Sequence, residues 1–169
     1  MLGQYFSSRH EWENQDNNPL PKEFEVDEVG ATSAPLLSAS YFIGARCRPY
    51  NDDFLKCKDE NNGGTIECLK EGRRVTRCAV SVLTDLNKHC FDSFKLHYEC
   101  LEQNNHHLGH CRSSEKIFNA CVFQNLKLSK EIPGVAKDKQ IHLNENPIYQ
   151  GTSNDKKLSS DFLKVHEKN

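Results

Sequence analysis

Apolar positions recur through the middle of the chain at helical spacing. Ile66, Leu69, Val75 and Val82 share an i, i+3, i+4 stripe with Cys68 and Cys78. A second stripe joins Leu86, Cys90, Phe94 and Leu101, with His97 or Tyr98 filling the gap. Upstream, Ser33 reads as a helix N-cap with Pro35 tolerated in the first turn. Leu36, Leu37, Tyr41, Phe42 and Ile43 predict a short helix ending near Gly44. Its apolar face exceeds what one small hairpin needs, which leaves two readings: it docks on a partner or membrane surface, or it covers the hairpin that follows. The two ends are polar. Residues 1–32 read as extended, with Pro19 and Pro21 breaking any helix. Residues 127–169 hold eight lysines and six acidic residues, with Pro133-Gly134 and Asn146-Pro147. The expectation there is an extended tail ordered only on a partner.

The cysteines impose a stricter period. They are Cys47, Cys57, Cys68, Cys78, Cys90, Cys100, Cys111 and Cys121. Taken as pairs, nine residues separate the two members every time, and ten, eleven and ten residues separate successive pairs. This is an internal repeat. Ten residues of helix rise ~15 Å, whereas a disulfide needs Cα atoms ~4.4–6.8 Å apart. Members of a pair therefore cannot bridge each other, and each must find a cysteine on another helix.

The connection Lys58–Glu67 contains Asn61-Asn62-Gly63-Gly64, a turn signal, and Gln103–Gly109 closes the second repeat. Short connections favour antiparallel neighbours, so inner cysteines face inner ones and outer face outer. Eight cysteines allow on the order of a hundred connectivities; helix geometry selects Cys57–Cys68 with Cys47–Cys78, and Cys100–Cys111 with Cys90–Cys121. Phe54, Val75 and Phe118 each precede a cysteine by three residues and pack beside its bridge. Leu96 and Tyr98 straddle the equivalent place before Cys100. The fold class is all-α, with two disulfide-stapled antiparallel hairpins and extended terminal segments. Its divisions are an arm with a short helix (1–45), hairpins at 46–80 and 86–124, and a tail (125–169). The link Val80–Asp85 lacks Gly and Pro, so the second and third helices run nearly continuously.

Composition explains why staples are needed. Apolar residues make up 36% of 169 residues, thin material for a core. The net charge of −2 marks out no nucleic-acid binder. No apolar run approaches the ~20 residues that span a bilayer. The first residues, MLGQYFSSRHEWENQDNN, contain no apolar signal core, so no secretory signal is expected. Yet disulfides require an oxidising compartment.

Paired C-x9-C hairpins resemble the coiled-coil-helix-coiled-coil-helix family of the mitochondrial intermembrane space. The resemblance implies import as a reduced chain and trapping by the import oxidoreductase of that space, a transient partner, which reconciles cysteines with a missing signal. The tandem arrangement is similar to a family of accessory subunits of respiratory complex I with two twin C-x9-C domains. The matching residues are Val26-Asp27-Glu28-Val29, Ser33-Ala34, Gly44-Ala45-Arg46-Cys47, Cys68-Leu69-Lys70-Glu71-Gly72, Cys78-Ala79, Lys88-His89-Cys90 and Asn144-Glu145-Asn146-Pro147. They cover roughly residues 24–149, with no match at 1–23 and 150–169. What this implies is a structural subunit on the intermembrane-space face, peripheral to the inner membrane, supporting the membrane arm and contacting other complex I subunits. The alternative is a free intermembrane-space factor for assembly or metal handling.

Other chemistries fit less well. Zinc wants C-x2–4-C spacing, absent here; His106, His107 and His110 beside Cys111 resemble ligands, but a turn-forming group is the simpler reading. A redox enzyme would need C-x-x-C or C-x-C, and Ser, His and Asp are scattered without a nucleophile elbow or phosphate loop. No catalytic, cofactor-binding or metal residue is assigned, and nothing in the chain supplies ligands for NADH, quinone, flavin or iron–sulfur clusters. Arg73, Arg74 and Arg77 lie on one side of the second helix. They are a solvated face, a contact for acidic subunits or anionic head groups, or a partner for Asp52, Asp53, Asp59 and Glu60 across the hairpin.

Overall fold

Gly44 does not end the first helix. In the computed structural model, which describes residues 25–64, 66–144 and 150–167, helix α1 runs from Ser33 to Glu60 through both Gly44 and Pro49. A mid-helix glycine costs only about 1 kcal/mol, and burial on both sides of Gly44 outweighs it. Ala34, Ser38, Ala39 and Phe42 are buried before it and Cys47 after it. Thr32 occupies the N-cap and Ser33 is the first helical residue, a one-residue shift. Four further helices follow: α2 (Leu69–His89), α3 (Phe91–Gln103), α4 (Arg112–Asn125) and α5 (Ser153–His166), with short 3-10 turns at Leu108–Cys111, Lys137–Lys139 and Ile141–Leu143. The fold is all-α.

The outer half of α1 and the first half of α2 form one stapled hairpin, and α3 and α4 form the other. Each turn is built from left-handed residues, Asn62 and Gly63 in the first, Asn105 and His106 in the second. Between the hairpins only Cys90 leaves helical geometry (φ −137°, ψ 25°), ending α2 and capping α3. The link at residues 80–85 is thus continuous helix, as the absence of Gly and Pro suggests.

The hairpins share one core. Ala39 and Phe42 of α1 lie against Val82, Leu83 and Leu86 of α2 and Phe94, Phe118 and Val122 of the second hairpin. Phe42 meets the Phe118 ring edge-on at 5.4 Å, and Phe118 lies 5.2 Å from Phe94. Ala34, one turn nearer the helix start, packs with Leu101, Cys100 and Cys111. The apolar face of residues 36–43 therefore docks inside the molecule, mainly on the second hairpin and the later half of α2. The outer hairpin is thin by comparison: of α1 beyond Cys47, no residue is buried. Phe54 there is half-buried against Gly72, where an added Cβ would sit 3.4 Å from its ring. Ile66 stands outside α2 and is 63% exposed, so it does not join the stripe its spacing suggested.

The C-terminal segment departs from an extended tail. Residues 153–166 are helical, and Lys130, Gln140, Asp155 and Ser159 are buried. Thr152 caps α5 by accepting from the Asp155 N–H (3.2 Å). The Asp155 carboxylate in turn accepts from the backbone N–H groups of Ser113 (2.8 Å) and Ser114 (3.2 Å) at the start of α4. The negative charge sits where α4 presents unpaired donors and its positive dipole end. Gly151 is at φ +90°, and a Cβ there would clash with the Asp155 carboxylate and crowd the His110 carbonyl at 3.2 Å. A polar sequence hides this docking because the fastening is made by hydrogen bonds instead of an apolar stripe. The expectations for residues 1–23 and Asn146-Pro147 lie outside the described residues.

Truncating the shared ring tests the single core. Phe42→Ala should lower stability by about 3–5 kcal/mol, while Leu55→Ala, at an exposed position of the outer hairpin, should stay within about 0.5 kcal/mol. A Phe42→Ala loss as small as that of Leu55→Ala in urea denaturation would mean that no shared core holds the hairpins.

Candidate functional site

All eight cysteines are in disulfides. Cys47–Cys78 and Cys90–Cys121 each close 31 residues, and Cys57–Cys68 and Cys100–Cys111 each close 11. The Cα separations, 5.8 to 5.9 Å, are ordinary for the bond, so antiparallel packing brings the residues together without distortion. Each bridge restricts the unfolded chain by about 2–4 kcal/mol on a chain-entropy argument. An asparagine four residues after a cysteine recurs beside them. The Asn61 amide donates to the Cys57 carbonyl (2.9 Å), Asn104 to that of Cys100 (2.8 Å), and Asn125 approaches the Cys121 sulfur (3.2 Å). In the first two, the carbonyl also accepts the asparagine's own backbone N–H, at 3.0 and 3.1 Å, so one residue closes the helix end with two bonds. This C-x3-N repeat is visible in the sequence beside the C-x9-C repeat, but the cysteine spacing alone does not call attention to it.

Between the second hairpin and the tail lies a buried polar group that apolar periodicity could not reveal. Glu115, 2% exposed, accepts from Arg112 one turn earlier and from Lys130 Nζ at 2.5 Å. Burial alone would raise the Glu115 carboxyl, but the two cations beside it hold it below the usual carboxylate range. Burial pushes the Lys130 ammonium down despite the attraction of Glu115. Lys130 also lies over the Tyr41 ring, 4.6 Å from its centre. The tail thereby places a cation against α1 and α4 together. Removing Glu115 would leave the buried Lys130 ammonium without its counter-charge, the costly case.

His97 sits in the adjacent core, stacked on Phe118 and sharing a 2.7 Å hydrogen bond between Nδ1 and the Ser38 hydroxyl. Its Nε2 has no partner among the described residues. Burial pushes its pKa down to about 4, outweighing the pull of Glu115, so the ring is neutral at neutral pH. It serves as a packed core residue that ties α1 to α3.

The candidate metal ligands are drawn into other roles. His106 Nε2 lies 2.9 Å from the Ser33 hydroxyl, while His107 and His110 stack face to face at 4.5 Å. The His110 carbonyl receives the Thr152 N–H (2.8 Å), making this turn a landing for α5. Cys100, Cys111 and Asp155 converge within 4.8 Å, but the sulfurs are bonded to each other and the carboxylate caps α4. Of the arginines, Arg73 donates to the Glu25 carbonyl (3.1 Å). Asp52 and Glu60 lie near Arg48 (3.9 Å) and Lys56 (3.8 Å) on their own helix.

This geometry is a rigid, covalently closed platform. No known family profile matches the chain. Its sequence is 57% identical over 137 residues, 79% of this chain and 75% of the relative, to the NADH-ubiquinone oxidoreductase 20.8 kDa subunit of Neurospora crassa. The chain belongs to that complex I subunit family. Two Arabidopsis thaliana members, NADH dehydrogenase [ubiquinone] 1 alpha subcomplex subunits 8-A and 8-B, are each 35% identical over 101 residues. Those matches span 60% of this chain and 83% and 85% of the relatives. Membership and the four observed bridges agree with the twin C-x9-C resemblance.

A pH series tests the His97 environment. The unfolded ring binds a proton near pH 6.5 and the folded ring only near 4. Its contribution is therefore complete above about 6.5 and lost as pH falls towards 4, by roughly 3 kcal/mol across the window. Denaturation midpoints should fall accordingly, and His97→Phe should flatten the slope; a variant that keeps the wild-type slope would refute the assignment.

Proposed function

We propose that the chain is a non-catalytic accessory subunit of mitochondrial respiratory complex I, peripheral to the inner membrane on its intermembrane-space face. Its work is mechanical: residues 46–80 and 86–124 present preformed helical surfaces to neighbouring subunits of the membrane arm. A surface ordered before docking loses less entropy on binding, and four bridges supply that order where apolar material is scarce. The observation that carries the reading is family membership over most of the chain together with all eight cysteines bridged. Disulfides at every cysteine favour an oxidising space over the matrix. No described helix is long and apolar enough to cross a membrane, which suits a subunit attached from outside. A reduced chain entering that space would be trapped as the import oxidoreductase closes its bridges.

Two measurements test this. After gentle detergent extraction and native gel separation, the chain should co-migrate with NADH dehydrogenase activity; a small free species would replace this reading with that of an unattached factor. Cys57→Ser or Cys100→Ser should lower the amount retained in mitochondria, and retention at wild-type level in an import assay would dismiss oxidative trapping.

A further inference from the structure

The solvent side of α2 carries a row of cations that nothing described so far uses. Lys70, Arg74, Arg77 and Lys88 are all exposed, and at 100° per residue they fall within about 40° of one line along the helix. Ser81 and Thr84, also exposed, fill the line between them. The row extends ~27 Å. Among the described residues none of these four side chains forms an ion pair. Of the neighbouring acids, Asp85 is bound by Arg46 at 2.6 Å, and Glu71 lies well round the helix. Glu25 follows the Arg73 flank, where its backbone carbonyl is held. The chain as a whole is slightly acidic, but at physiological salt charges on the far side are screened beyond ~8 Å.

We propose that this row is a docking face for an anionic phospholipid surface. Its form favours a membrane over an acidic protein segment. The cations are exposed along a straight, disulfide-held rod. That arrangement suits a plane of negative charge that needs no register. Each cation near such a surface contributes on the order of 1 kcal/mol, and the two arginines can engage phosphate oxygens with paired N–H groups. The proposal deepens the peripheral placement given above and names the surface of this chain that faces the bilayer. It also gives α2 two opposite duties, with Val82 and Leu86 in the shared core on one side and the cationic row on the other.

The test uses the purified, oxidised full chain alone, so its result does not depend on incorporation into complex I. Sedimentation with vesicles of phosphatidylcholine and phosphatidylglycerol in equal parts should carry the protein down, and phosphatidylcholine alone should not. Binding should weaken as salt is raised. Arg74→Gln with Arg77→Gln should reduce it by about thirtyfold, without lowering the melting temperature, because both positions are exposed. Lys157→Gln with Lys164→Gln on α5 makes the same change of net charge elsewhere and should leave binding nearly intact. Equal losses in the two double variants, no binding to anionic vesicles, or binding to polyglutamate in place of vesicles would each overturn the proposal. Co-migration with complex I that survives such a failure would show the subunit reading to stand without it.

Discussion

The antiparallel register of paired helices is the constraint from which the rest follows. Two cysteines ~15 Å apart on one rod can both be oxidised within the chain only if another rod lies alongside with matching spacing. Once Cys47–Cys78 and Cys90–Cys121 are closed, the outer bridges fix where each hairpin meets the shared core. Phe42, Phe94 and Phe118 then have one way to pack. A chain with 36% apolar residues can keep a single arrangement because the covalent links remove alternatives from the unfolded ensemble, while a small aromatic centre selects among what remains.

The staples and the core divide the work unevenly. In the outer hairpin, beyond Cys47 and before Cys78, side chains are mostly half-buried or exposed, and the Cys57–Cys68 bridge does what packing does elsewhere. In the inner region packing is dense, and even polar groups are enclosed. His97 is kept neutral there, and Glu115 is held between Arg112 and Lys130. Buried charges of this kind add little net stability but strongly penalise any arrangement that separates them. They specify which way the tail returns across α1 and α4.

Much of this architecture was legible in the residues themselves, and the reason is covalent. Cysteine spacing translates into distance with almost no ambiguity once helices are assumed, so the hairpins, their direction and all four pairings could be written down. Gly44 is a misleading helix boundary because one glycine is a weak stop against burial on both sides. The tail conceals its docking for a different reason. Asp155, Gln140 and Lys130 look like solvent residues until their partners are known, since polar docking leaves no periodic trace. Asp155 capping Ser113 and Ser114 joins groups more than forty positions apart, a relation that no local pattern encodes.

Cys90 is at once the end of α2, the start of α3 and a bridged residue. An elbow of one amino acid, bolted to Cys121, has little freedom to swing. The angle between the two arms is held on one side by that bolt and on the other by the aromatic centre they share, like that of a braced bracket. Whatever grips one arm orients the other, so a contact made at either end of the molecule imposes its alignment on neighbours at the opposite end.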